Sequence, residues 1–151
     1  FASASYDRTV QMVDLRAEST DAVKLLRKMP HDPECIRWWS ENVLAVADEA
    51  GTVQFVDRRS PLKTLLTLDA HAGKPCTVLD THPLAPGILL TASADKSFRL
   101  WDAADFGNVR CVLERAPGVG KIFTAAFARD SPVHVACAGS HGELRVMELR
   151  D

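Results

Sequence analysis

No apolar run in the 151-residue chain approaches the ~20 residues that a membrane-spanning helix requires. Neither sign of charge prevails. Eighteen Lys and Arg stand against 20 Asp and Glu, a net charge of −2, so nothing overall marks a surface for nucleic acid or anionic membrane. Cysteine is sparse: Cys35, Cys76, Cys111 and Cys137 form no C-x₂-C pair of the kind a zinc site uses. They are also too few for the disulfide framework of a small secreted domain. Each lies in an apolar run, so reduced, buried core thiols are expected, in a nuclear or cytosolic compartment. A phosphate-cradling loop is missing too, because Gly118-Val119-Gly120-Lys121 lacks both the upstream Gly and the Ser/Thr after the Lys. No signal or transit peptide is visible at the start. The chain opens on Phe1 in residues that already read as a strand, and this start is expected to be a cut through a longer protein.

What the chain does have is 46% apolar and 25% charged residues, the balance of one globular domain. It also repeats itself. Ser3-Ala4-Ser5-Tyr6-Asp7-Arg8-Thr9-Val10 aligns with Ala47-Asp48-Glu49-Ala50-Gly51-Thr52-Val53 and with Thr91-Ala92-Ser93-Ala94-Asp95-Lys96-Ser97-Phe98. A weaker copy is Ala138-Gly139-Ser140-His141-Gly142-Glu143-Leu144. An acid follows each at one offset, Asp14, Asp57, Asp102 and Glu148, at intervals of 43, 45 and 46 residues. Four-stranded propeller blades repeat at about this period, and so do helical HEAT and armadillo units.

Periodicity separates the two. Val10 and Met12, Val53 and Phe55, Phe98 and Leu100, and Leu144 and Val146 alternate with polar Gln11, Gln54, Arg99 and Arg145. That is the period of strands, not helices. Further short runs at 1–4, 23–28, 35–39, 43–47, 63–68, 76–80, 88–92, 109–114, 123–127 and 133–138 bring the expected strands to 14. The fold class is all-β, with repeat units of approximately 1–16, 17–59, 60–104 and 105–151.

The best-preserved unit carries Ala70-His71 near its start and closes on Leu100-Trp101-Asp102. With Leu90-Thr91-Ala92-Ser93-Ala94-Asp95 between them, it resembles a WD repeat, with a Gly-His-like dipeptide and a terminal Trp-Asp. The resemblance implies a β-propeller of about three and a half four-stranded blades from a presumed seven-bladed ring. It also implies a structural tetrad, His71, Thr91, Asp95 and Trp101, joined in one hydrogen-bonded chain. The chemistry permits this: indole only donates, a hydroxyl relays, neutral imidazole has one donor and one acceptor, and a carboxylate accepts. The other copies depart from the pattern. Val13, Val56 and Met147 stand at the Trp position, Ala50 and His141 at the Asp position, and Cys137 at the hydroxyl position. These repeats are expected to be held by packing more than by polar networks, although His31 sits where His71 does. An arc of this size would expose an unclosed wall at each end and is expected to self-associate if it stands alone.

Within the WD-repeat family the strings Ser5 to Val10, Asp14-Leu15-Arg16, Gly51 to Val53, Asp57-Arg58-Arg59 and Leu65 to His71 are similar to later blades of a nucleolar branch. That similarity implies a non-enzymatic scaffold in large-subunit pre-ribosome assembly and growth-linked rRNA synthesis. Its partners would be other proteins, pre-ribosomal assembly factors among them. The alternative is a peptide-binding receptor such as the peroxisomal import receptor for N-terminal signals.

Candidate chemistry is weighed against structure residue by residue. The five histidines are spread over different repeats, and Asp7, Asp57, Asp95 and Asp102 recur by period, as turn-forming acids do. No catalytic residue, metal or cofactor is therefore expected, nor a membrane or small-molecule substrate. Trp38-Trp39 should place one ring in the core or between blades and the other outward. Arg16, Arg58 and Arg59 are expected on a solvated rim, with RNA contact as the lesser alternative. If a partner docks, the expected surface is the end carrying the turn acids, with Tyr6, Glu34, Glu49 and Lys74 pointing into it.

Overall fold

The computed structural model describes residues 1–16, 23–131 and 133–150. All regular elements among them are strands: β1 (Ala2–Ala4), β2 (Thr9–Val13), β3 (Val23–Lys28), β4 (Pro33–Trp38), β5 (Val43–Asp48), β6 (Thr52–Asp57), β7 (Thr64–Asp69), β8 (Cys76–Thr81), β9 (Ile88–Ser93), β10 (Phe98–Asp102), β11 (Arg110–Arg115), β12 (Ile122–Phe127), β13 (His134–Gly139) and β14 (Leu144–Glu148). They form four antiparallel meanders in chain order, β1-β2-β3, β4-β5-β6-β7, β8-β9-β10-β11 and β12-β13-β14.

Each sheet packs its face on the next, so the middle strands are buried on both sides and read as almost continuous apolar runs. In β5, Leu44 and Val46 join Val10, Leu26 and Met29 of the first sheet, while Ala45 and Ala47 turn the other way toward Cys76, Leu79, Leu89 and Trp101 of the third. In β9, Leu89 faces the second sheet, and Leu90 and Ala92 face Val119, Ile122, Phe127 and Val135 of the fourth. Strict alternation therefore sorts residues between two neighbouring sheets rather than between core and water.

The ladders repeat in their irregularities. A register shift falls between Phe55 and Val56 and between Leu100 and Trp101, the same place in two repeats, and two residues earlier in the first repeat, between Val10 and Gln11. A second set lies where β4, β8 and β12 begin. Left-handed residues also recur, at Arg8, Gly51, Lys96 and Gly142, one per tight turn. At Gly51 the reason is steric as well as torsional: a Cβ there would stand 2.5 Å from the Lys74 carbonyl oxygen.

Several expectations need correction. The strand expected over 35–39 begins at Pro33 and releases Trp39 into the following loop. Cys76 and Cys137 are buried, but Cys35 is half-buried and Cys111 is exposed, because β11 lies at the outer edge of its sheet. All four thiols are free. Leu144 and Val146 alternate as expected for a core strand, yet both are exposed, on the sheet face opposite the one that packs on the third sheet.

Candidate functional site

The loops β1–β2, β5–β6, β9–β10 and β13–β14 share one end of the molecule with the connections β3–β4, β7–β8 and β11–β12. Backbone bonds lock them together. Glu49 N donates to Asp32 O at 2.9 Å, Ala94 N to Pro75 O at 3.1 Å and Ser140 N to Lys121 O at 2.9 Å, three equivalent contacts in successive units. The Gly51 carbonyl accepts from both Ala70 N and His71 N.

Beneath this end runs a chain of side-chain bonds. The Trp101 indole donates to Thr91 Oγ1 at 3.0 Å, Thr91 Oγ1 lies 2.9 Å from His71 Nε2, and His71 Nδ1 lies 2.8 Å from Asp95 Oδ2. An ionised Asp95 can only accept, so Nδ1 carries the proton, Nε2 accepts from the Thr91 hydroxyl, and all four groups are satisfied in one direction. The other carboxylate oxygen of Asp95 caps the turn, accepting from Ser97 N and Ser97 Oγ at 2.8 and 2.7 Å. Burial pushes the His71 imidazole below its usual pKa, more strongly than Asp95 raises it. Burial pulls Asp95 upward, but bonds from Ser97 and His71 outweigh it and hold the carboxyl low.

A fifth member was not foreseen. Arg99, on the strand position that alternates with Phe98 and Leu100, donates to the Ala70 carbonyl and pairs with Glu114 at 3.1 Å. Its guanidinium also stands 3.7 Å from Asp95. The only sequence signal was a long cation where the first two repeats carry Gln11 and Gln54, a signal that Arg145 of the last repeat shares.

The second repeat, expected to be held by packing more than by polar networks, keeps a polar turn despite Ala50. Its acid has moved two residues upstream to Asp48, fully buried, which accepts from Ala50 N, Thr52 N and Thr52 Oγ1 at 3.1, 2.9 and 2.6 Å. The first repeat keeps its acid in place, with Asp7 accepting from Thr9 N and Thr9 Oγ1. His31 does not match His71 in environment. It is exposed, and an Arg8–Asp32 ion pair at 2.7 Å bridges the same junction. His141 is likewise at the surface, with Nδ1 3.1 Å from the Gly118 carbonyl.

The four residues expected at a docking surface all lie at this end, and three of them are joined. Tyr6, 71% exposed, directs its hydroxyl to Glu34 Oε2 at 3.5 Å. Glu49 accepts from Asp32 N at 3.3 Å, and Asp32 holds Arg8, two residues after Tyr6. The Lys74 carbonyl packs over Gly51, while its exposed ammonium is not part of this set.

The rim arginines are spoken for. Arg16 pairs with Asp14, Arg59 with Asp57 and Arg110 with Asp102, at 3.1, 2.7 and 3.0 Å, and Arg58 Nε donates to Asn42. The bonds from Arg16 and Arg59 lower Asp14 and Asp57 to about 2. Trp39 packs edge-on against Phe55 at 5.3 Å and meets Phe106 of the third sheet's loop, while Trp38 is exposed. A cleft of about 460 Å³ opens where β4, β8 and β12 converge, lined by Arg37, Asp80, Thr81, Phe127 and Arg129. No group of three or more His, Cys, Asp or Glu among the described residues could hold a metal ion.

No family model matches the chain. It is 33% identical over 121 residues, 78% of its length, to an uncharacterized WD repeat-containing protein of Schizosaccharomyces pombe. The chain spans only 23% of that relative. In fold it superposes on a chain of the mitotic checkpoint complex crystal structure with a TM-score of 0.79, at 18% identity. That match covers 99% of this chain and 47% of the other.

Proposed function

This chain is a WD-repeat protein whose sheets are β-propeller blades, and from that premise we propose that it is a non-catalytic scaffold that binds other proteins through the end carrying the tight turns. One observation carries the reading. The polar groups beneath that end, the buried Asp48, His71 and Thr91 and the half-buried Asp95, are consumed by bonds to their own turns and to one another. What faces solvent above them is Tyr6, Glu34, Glu49 and Lys74, on loops locked to each other by backbone bonds. Rigid loops presenting an aromatic ring and mixed charges suit recognition, with little ordering entropy to lose on binding.

The finer part of the proposal rests on sequence resemblance. The strings from Ser5 to Val10, from Asp57 to Arg59 and from Leu90 to Asp102 resemble the later blades of periodic tryptophan protein 1. On that basis the scaffold works in the nucleolus, in large-subunit pre-ribosome assembly and growth-linked rRNA synthesis, with pre-ribosomal assembly factors as partners. The Asp–Arg pairs along the rim favour protein over RNA as the contacted surface.

The test is fractionation of the full-length protein from cells. Sedimentation with large-subunit precursors, released by RNase, is the expected result. Recovery only from cytosol and peroxisomes would overturn the ribosomal reading and favour a receptor for linear peptides.

A further inference from the structure

The chain contains two Ser-Pro dipeptides, Ser60-Pro61 and Ser131-Pro132, in loops that the scaffold reading leaves unused. Their surroundings differ. Ser60 lies in the β6–β7 loop within Arg58-Arg59-Ser60-Pro61-Leu62-Lys63, a basic residue standing three positions after the serine. Arg58, Arg59, Ser60 and Lys63 are exposed, and Leu62 is 96% exposed. The Ser60 hydroxyl makes no hydrogen bond to any described residue. Ser131 is half-buried, its hydroxyl lies 2.6 Å from His134 Nδ1, and a histidine occupies its third following position.

We propose that Ser60 is a phosphoacceptor for a proline-directed protein kinase that reads Pro61 and Lys63. Proline has no N–H, so a pocket shaped for it need satisfy no donor at that position. The lysine supplies a cation for an acidic subsite. Delivery of the segment is undemanding, since residues 60–63 belong to no strand. Two exposed backbone bonds, Ser60 N to Asp57 O and Lys63 N to Ser60 O, and one bond from Arg27 to the Pro61 carbonyl must open.

In the transfer, Ser60 Oγ attacks the γ-phosphorus of the kinase-bound nucleoside triphosphate. A new O–P bond forms, the bond to the β–γ bridging oxygen breaks, and the nucleoside diphosphate leaves with that electron pair. The hydroxyl proton passes to the kinase's catalytic carboxylate. The product suits its site. The phosphate brings a charge of about −2 into a loop where Arg58, Arg59, Lys63 and the neighbouring Arg27 outnumber Asp57, so it compensates charge rather than adding repulsion.

The experiment incubates the full chain with a cyclin-dependent kinase and isotopically labelled ATP, then locates the phosphate by peptide mass spectrometry. Ser60 is expected to carry most of the label. Ser60→Ala should abolish that label, Pro61→Ala should slow it about tenfold or more, and Lys63→Glu should slow it by a smaller factor. Labelling of Ser131 in preference to Ser60, no label at Ser60, or an unchanged rate in Pro61→Ala would each overturn the proposal.

Discussion

Trp101 donates its indole proton to the hydroxyl of Thr91 across the β9–β10 pair, 3.0 Å away and out of reach of water. The bond fixes the donor of the Thr91 hydroxyl toward His71, and through His71 it fixes the turn at Asp95. Removing the ring should therefore cost both packing and polar satisfaction. Trp101→Ala is expected to destabilise by about 3–5 kcal/mol, with the Thr91 and His71 groups left underpartnered. Val56→Ala, the equivalent position of the preceding repeat, is even more completely buried but supports no such chain and should cost less. Chemical denaturation of the two variants checks this, and equal losses would mean that the hydrogen-bonded chain contributes nothing.

The pH dependence of stability follows from the same chain. His71 is lowered below 6.5 in the folded state, so the unfolded chain binds more protons as pH falls below that value. The stabilisation is whole above about 6.5 and is lost as pH falls through the folded pKa. A second loss begins below 3.8, where Asp95, also lowered, protonates first in the unfolded chain. Urea denaturation from pH 7.5 downward should show stability declining in the first window. His71→Asn should flatten that part of the profile, while an undiminished slope in this variant would assign the effect elsewhere.

Gly51 and Gly142 have nearly the same left-handed backbone, with φ of 82° and 76°. Only Gly51 faces the β7–β8 connection, while a Cβ on Gly142 meets open space. Both substitutions by Ala pay roughly 1–2 kcal/mol for the conformation. Gly51→Ala must also displace the Lys74 and His71 carbonyls, so its melting temperature should fall clearly further. Similar melting of the two variants would show that the connection gives way freely.

The proposed docking surface is tested by Tyr6→Ala combined with Lys74→Ala. Both side chains are exposed and neither supports the core, so melting should stay unchanged while capture of partner proteins from nucleolar extract weakens. Unchanged capture would move the interface to the rim or to the opposite end.

The strands were legible because alternation survives wherever a strand is sandwiched between two sheets: Leu44 and Val46 against Ala45 and Ala47 display it plainly. The His71, Thr91, Asp95 and Trp101 positions could be matched to a motif because that repeat keeps all four residue types. Asp48 escaped because the acid and its turn swapped register by two positions. A carboxylate reaches Thr52 from there as readily as Asp95 reaches Ser97. Asp80 escaped for a different reason. Its partners, the Arg37 guanidinium at 2.6 Å and the Phe127 amide at 3.0 Å, belong to the two neighbouring sheets. Which residues meet across sheets depends on the angle and stagger of packing, which no local pattern of apolar residues encodes.

That position of Asp80 bears on how the molecule comes apart. Tandem architectures whose units touch only their immediate neighbours tend to unravel from one extremity, each unit fraying with its own free energy. A single carboxylate anchored in the third sheet grips the second with one oxygen and the fourth with the other, so no one of the three can peel away without stranding a largely buried charge. Amides of β4, β8 and β12 are therefore expected to behave as one exchange unit. Their deuterium uptake should rise together in Asp80→Asn, while the β1–β2–β3 hairpins keep the protection they had.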